Sequence, residues 1–159
     1  MTAVDVSLRS VLTVRLNARR HRVRIRAVRG VLFEPVHGQR FDCIVSNPPY
    51  VPSPDDVLPR RGASRAWAAG RDGRKVLDQI CDDAPRHLRP GGTLLLVHSS
   101  LIDEDATVAR LQRAGLAEAS VVERHRGALG PLMREQQRLG TVPATITGED
   151  VVIIRGVAR

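Results

Sequence analysis

The chain has 159 residues, of which 42% are hydrophobic and 26% charged, and carries a formal net charge of +8. That is the length of one domain with one modest core, and the balance excludes a disordered tail. No apolar run approaches a membrane span (the longest is Leu94 to Val97), and the first residues lack a basic start followed by an apolar stretch, so a cytoplasmic protein is expected.

Nearly all the positive charge is arginine, since Lys75 is the only lysine. A GC-rich coding sequence gives such a skew, and the arginines read first as solvated faces, with local density at Arg15 to Arg29. A nucleic-acid surface is the second reading. Cys43 and Cys81 are far apart in apolar surroundings and read as two reduced, buried thiols. The five histidines have no metal-ligand spacing, so no metal site is expected.

Thr2-Ala-Val-Asp5 reads as a buried strand, with Ser7 as the cap of a helix. Leu8, Val11, Leu12 and Leu16 recur at helical spacing to about Ala18. Val23, Ile25 and Ala27 alternate with arginines, the pattern of a half-exposed edge strand. Residues 30–39 form a loop. Phe41-Asp-Cys-Ile-Val45 reads as a buried parallel strand. It stops at Ser46-Asn47-Pro48-Pro49-Tyr50, because two prolines cannot continue a ladder.

Residues 51–70 form a long loop with Pro52, Pro54 and Pro59, a length that is usually functional or disordered. A helix is expected over 71–88, with Val76, Leu77, Ile80, Cys81 and Ala84 as its apolar stripe and Pro85 kinking or ending it. Arg89-Pro90-Gly91-Gly92 reads as a turn and Thr93 to His98 as a buried strand. Residues 104–114 and 131–139 read as helices, with Pro131 at the favoured first position. Residues 119–122 and 151–154 read as the last strands. Alternating strands and helices imply an α/β sheet with helices on both faces, its ligand at the carboxyl ends of the strands.

An Asn-Pro-Pro-Tyr tetrapeptide directly after a buried strand suits transfer to a planar nitrogen. Such a nitrogen is a poor nucleophile, because its lone pair is delocalised. Two acceptors aimed at its N–H groups hold it and draw density onto it: the Asn47 side-chain oxygen and the Pro48 carbonyl. Pro49 stiffens the next step and Tyr50 can stack on the planar group. Catalysis then rests on orientation and preorganised electrostatics.

This segment resembles the amino- and amide-methylating class I methyltransferases. The stretch Ala66-Trp67-Ala68-Ala69-Gly70-Arg71-Asp72-Gly73-Arg74 narrows the likeness to HemK-like glutamine methyltransferases, in the short branch without an N-terminal helical domain. Similarity continues through Leu88-Arg-Pro-Gly-Gly92 and His98-Ser99-Ser100-Leu101 to the closing strands. The resemblance implies one methyltransferase domain over 1–159, with a Rossmann-like, mostly parallel sheet. It implies S-adenosyl-L-methionine as cofactor and glutamine N5 of a translation release factor as acceptor.

By the same resemblance, Asn47, Pro48, Pro49 and Tyr50 are catalytic, and Trp67 adds to the substrate wall. Asp5 would bind the ribose hydroxyls, Leu32 and Phe33 would pack on the adenine ring, and Val6 and Asn47 complete the implied cofactor-binding residues. Asp5 read alone is equally a helix-start residue. A small activator protein is an implied partner. Two alternatives are an adenine-N6 or cytosine-N4 nucleic-acid enzyme and a non-catalytic, partner-binding chain.

Two departures stand out. The family opens with a strand and a glycine-rich turn (Asp/Glu-x-Gly-x-Gly) that is missing here, so the chain reads as N-terminally truncated. In the strand order 3-2-1-4-5-7-6 this removes the central strand and separates strand 2 from strand 4. Also, Val31 stands where the family often has an Asp that bonds the adenine amino group.

Overall fold

The computed structural model describes all residues, Met1–Arg159. The chain forms two compact units, Met1–Arg40 and Phe41–Arg159.

The first unit holds β1 (Thr2–Asp5), α1 (Leu8–Arg20) and β2 (Arg26–Arg29). The two strands pair in parallel, with Asp5 level with Arg29. Ser7 caps α1 as expected, its hydroxyl accepting from Ser10 N–H at 3.3 Å. The helix buries Val11 and Ala18, not the leucine stripe: Leu8, Leu12 and Leu16 are exposed. The two faces lie side by side on the helix, and the short sheet covers only one of them. β2 starts at Arg26, later than the alternation at Val23 suggested. The turn before it takes up residues 21–25, with Val23 N–H reaching back to Ala18 O at 2.9 Å to close the helix.

The second unit holds β3 (Phe41–Ser46), α2 (Lys75–Asp83), β4 (Leu88–Ser99), α3 (Glu104–Arg113), β5 (Leu116–Ala128), α4 (Pro131–Arg138) and β6 (Gly148–Ala158). The sheet order is β3-β4-β6-β5. β3 pairs with β4 in parallel, and β6 runs antiparallel to both β4 and β5. The core gathers Leu94 and Leu96 of β4, Val152 and Ile154 of β6, Leu77, Ile80 and Cys81 of α2, and Leu111 of α3.

The expected helix over 71–88 is shorter. Residues 71–74 form a turn, α2 ends at Asp83, and Pro85 opens a 3-10 turn at Ala84–His87. The expected Arg89–Gly92 turn is instead part of β4, whose register against β3 shifts between Phe41 and Cys43. Both β5 and β6 run longer than the apolar runs that signalled them, because their polar halves still pair with each other.

The sheet expectation needs two corrections. Pairings are half parallel and half antiparallel, and there are two sheets, not one. Within each sheet the strands keep the expected 3-2 and 4-5-7-6 order. β3 is therefore an edge strand with one neighbour. Its Asp42, Cys43 and Val45 are exposed, Val45 at 69%, so neither this strand nor Cys43 is buried as its apolar sequence suggested. Cys81 is buried, and burial pushes its thiol up to about 12.

Candidate active site

The register Ser46↔Leu96 sets Asn47–Tyr50 beside Val97–Ser100, at the carboxyl ends of two parallel strands. The antiparallel partner β6 brings its amino end there too, since Ser99 is level with Val151. Side chains from three distant stretches of sequence thus meet at one sheet end.

Asn47 is exposed, Pro48 is buried, and Pro49 and Tyr50 are half-buried. Neither the Asn47 side-chain oxygen nor the Pro48 carbonyl accepts a hydrogen bond from elsewhere in the chain. Burial, and then the charge of Glu149, raise the Tyr50 pKa above its ordinary value of 10.0, which keeps the phenol neutral. Glu149 itself is held by Gly130 N–H at 2.9 Å.

His98 is fully buried at the end of β4, its ring edge-on to Tyr50 with centroids 6.5 Å apart. Its Nδ1 lies 2.8 Å from Ser99 O, so Nδ1 carries the proton and Nε2 presents a lone pair. Nε2 is buried without a partner. Burial holds the His98 pKa below the ordinary 6.5, and the ring stays neutral at physiological pH.

The backbone beyond Tyr50 is clamped. Val51 N–H donates to Trp67 O at 2.8 Å, Ala69 N–H to Val51 O at 3.0 Å, and Ser53 N–H to Gly70 O at 2.9 Å. The loop over 51–70 is thus tied at both ends, with Trp67 half-buried in the tie. Gly73 lies under this clamp at φ +74°, where an added Cβ would stand 2.4 Å from Tyr50 O. Only glycine permits that approach. The Arg74 guanidinium then donates to Asp103 O at 2.8 Å, Asp78 Oδ1 at 2.8 Å and Thr107 Oγ1 at 3.2 Å, fixing the start of α2 against α3. The Trp67–Arg74 segment is thus the frame of the tetrapeptide.

In the first unit, Asp5, Val6, Leu32 and Phe33 share the carboxyl end of the β1–β2 pair. Gly30 N–H donates to Asp5 O at 3.1 Å, and the Arg29 Nε–H donates to Val6 O at 3.2 Å. Asp5 Oδ1 accepts from Ser7 N–H at 2.6 Å, so the carboxylate does serve the helix start. No cation pairs with it, and a carboxylate retains further acceptor sites for a diol. Leu32 is held in the left-handed region at φ 44°, a strained setting of the kind that gathers at ligand sites. Gly30 has no room for a side chain, since a Cβ would meet Pro35 Cγ at 2.1 Å. One acceptor group beside an apolar loop fits the nucleoside part of the expected cofactor. Val31, 44% exposed, offers no acceptor for an amino group.

Sequence reasoning did not single out His98 as a site residue, nor Gly73 or Glu149. The Gly70-x-x-Gly73 spacing signals a tight turn that could have found Gly73. Glu149 lies a hundred residues from the tetrapeptide and carries no local signal. No group of three His, Cys, Asp or Glu side chains converges anywhere, and no helix is long and apolar enough to cross a membrane. A shallow depression of about 470 Å³ lies at Asp82, Pro85, Arg86, Arg110, Arg113 and Ala114, with none of the site residues in its lining.

Residues 1–57 match the family described as the methyltransferase small domain. A candidate protein N5-glutamine methyltransferase of Methanocaldococcus jannaschii is 34% identical over 115 residues, 72% of this chain and 58% of that protein. The release factor glutamine methyltransferase of Geobacter sulfurreducens is 33% identical over 127 residues, 74% of this chain and 43% of its own length. The chain is similar to the HemK-like glutamine methyltransferases over most of its own length. It spans about half the length of these curated relatives. Among solved structures, the Mtq2–Trm112 complex of E. cuniculi, responsible for methylation of the eRF1 termination factor, superposes with a TM-score of 0.55 at 20% identity. That match covers 99% of this chain and 85% of the other. A methyltransferase from Pyrococcus furiosus gives 0.56 at 21%, covering 97% and 61%. These two likenesses bear on the fold.

Proposed function

We propose that this HemK-like chain methylates the side-chain amide nitrogen of a glutamine on a translation release factor, using S-adenosylmethionine. The observation that carries the reading is the pair of unengaged acceptors, Asn47 Oδ1 and the Pro48 carbonyl, at the carboxyl end of β3 on a clamped backbone. A glutamine amide has two N–H donors in one plane, and the two acceptors match them. Tyr50, neutral and half-buried, offers a face for the planar group, and Trp67 closes the wall behind it. Pro49 restricts the backbone so that the acceptors need no reorganisation during transfer.

S-adenosylmethionine supplies the methyl group on a sulfonium. Asp5 would accept from its ribose hydroxyls, and Val6, Leu32 and Phe33 would pack around its nucleoside. The names and titles of the relatives favour a release factor as acceptor and a small activator protein as companion. The two units would then work as one methyltransferase domain.

The test is transfer of labelled methyl groups from S-adenosylmethionine to a purified release factor. It uses this chain and a chimera preceded by the amino-terminal segment of the Methanocaldococcus relative. Methylglutamine in the digested product is expected, and Asn47→Ala should lower the rate by about 10²–10³-fold with the fold intact. Absence of incorporation by the chimera as well as the chain counts against the reading. A second reading, transfer to an exocyclic base amine, draws on the arginine-rich first unit. Labelled RNA or DNA in place of labelled protein would establish it.

A further inference from the structure

We propose that the turn between α1 and β2, with β2 itself, is a docking surface for RNA, gripped through its phosphate backbone. The first unit carries nine arginines against Asp5 and Glu34, a net of +7 in forty residues. The second carries sixteen cationic residues against fifteen acidic ones, a net of +1. A GC-rich coding bias alone would not strip acids from one unit and balance them in the other.

All nine of those arginines are exposed. Every ion pair in the molecule joins residues of the second unit, and none reaches an arginine of the first. Arg19, Arg20, Arg22 and Arg24 crowd one turn with His21 among them, and Arg26 and Arg29 follow on β2. Compensation of the helix dipole accounts for Arg19 and Arg20 in the last turn of α1, but not for the four beyond it.

Arg22 adds an independent observation. It has φ 53° at the position that closes α1, where its N–H donates to Arg19 O at 3.2 Å and Val23 N–H to Ala18 O at 2.9 Å. Glycine takes this left-handed closing position without steric cost, and arginine does not. A strained cation at the centre of an unpaired cationic turn is what a phosphate grip would retain.

The chemistry favours RNA. The first unit has arginine only, whose planar fork takes two phosphate oxygens at once. The face of α1 beside the cationic turn carries the exposed leucines Leu8, Leu12 and Leu16, which cannot hydrogen-bond base edges in a DNA major groove. Recognition by phosphate position and shape suits folded RNA. A membrane surface fits less well: helical spacing puts Arg19 on the same face as Leu8, Leu12 and Leu16, interrupting the apolar stripe.

The inference is independent of the methylation reading, since its readout is binding alone. The 159-residue chain is titrated into a fluorescein-labelled RNA hairpin, a DNA duplex of the same sequence, and phosphatidylglycerol vesicles. RNA should bind tightest, and four or five phosphate contacts give a slope of log affinity against log salt of about −3 to −4. Arg20→Ala with Arg22→Gly and Arg24→Ala should weaken RNA binding about tenfold or more. Arg22→Gly alone should weaken it while leaving thermal stability equal or higher, which separates the effect from unfolding. Removing three exposed charges outside the turn (Arg60→Ala, Arg61→Ala and Arg159→Ala) should change little. Equal losses from both triple variants, DNA binding as tight as RNA, or preference for the vesicles would each overturn the proposal.

Discussion

The two units of this chain solve the same folding problem with very different resources. The first has four buried apolar residues, Val11, Ala18, Ala27 and Val36, under one helix and two four-residue strands. The second buries five times as many and sets most of its charges in pairs, such as Arg110 with Asp78 and Asp82. A two-stranded sheet is marginal by itself, and unpaired arginines add self-repulsion. The unit with the Asn-Pro-Pro-Tyr segment is thus built for rigidity, which preorganised acceptors need. The unit with Asp5 and the Leu32 loop is built on little core.

The largest expected difference is in backbone opening. Amides of α1 and β2 should exchange with solvent about a thousandfold faster than those in the middle of β4 and β6, because local opening follows local burial. Exchange measured by mass spectrometry on the intact chain checks this. Comparable protection in both units would break the contrast at its root.

Next in size is Gly73→Ala. The added Cβ meets Tyr50 O at 2.4 Å, and the residue must hold φ +74°. A loss of about 2–4 kcal/mol is expected in denaturant unfolding, from backbone strain and overpacking together. Methyl transfer should fall further than stability alone explains, because the clash pushes on the tetrapeptide. Gly38→Ala, in the first unit at φ +73° with open space around it, should cost only the strain, about 1–2 kcal/mol. Equal costs would mean that Gly73 is not framing the site.

The third test concerns His98. Its folded pKa lies below the unfolded 6.5, mainly through burial, so the unfolded chain binds the proton more readily. Stability should therefore be full above about pH 6.5 and fall as pH drops toward the depressed folded value. His98→Leu should flatten that decline and remove the unpartnered Nε2. A melting temperature of the wild type that does not change across this window would show that the ring finds a proton partner in the fold.

How much of this was legible in the sequence depends on the range of the forces involved. The cap at Ser7, the stop at Pro48-Pro49 and the break at Pro85 are local, and each fell where backbone chemistry put it. The tetrapeptide announced itself because its four members are contiguous. Burial is not local. Leu8, Leu12 and Leu16 have a core-like period, yet the short β1–β2 sheet leaves them in solvent. The long β5 and β6 were signalled only by their apolar halves, since pairing between Arg126 and Asp150 or Gly127 and Glu149 leaves no apolar trace. His98 and Glu149 join Tyr50 through sheet register alone, and register is set by the whole sheet.

The smallest effect is a thiol contrast, and it bears directly on β3. Cys43 and Cys81 read alike from sequence, as small apolar-context thiols. Cys43 lies exposed on an edge strand with a single neighbour, whereas Cys81 is sealed in α2 with its thiol pushed up to about 12. The thiolate is the reactive form, so a disulfide reagent such as dithionitrobenzoate should titrate one cysteine in the native chain and two after unfolding. Cys43→Ser should abolish the native reaction and leave the denatured one. If the native chain hides both thiols, something else in the chain covers the free edge of β3, and its reading as an open edge strand fails.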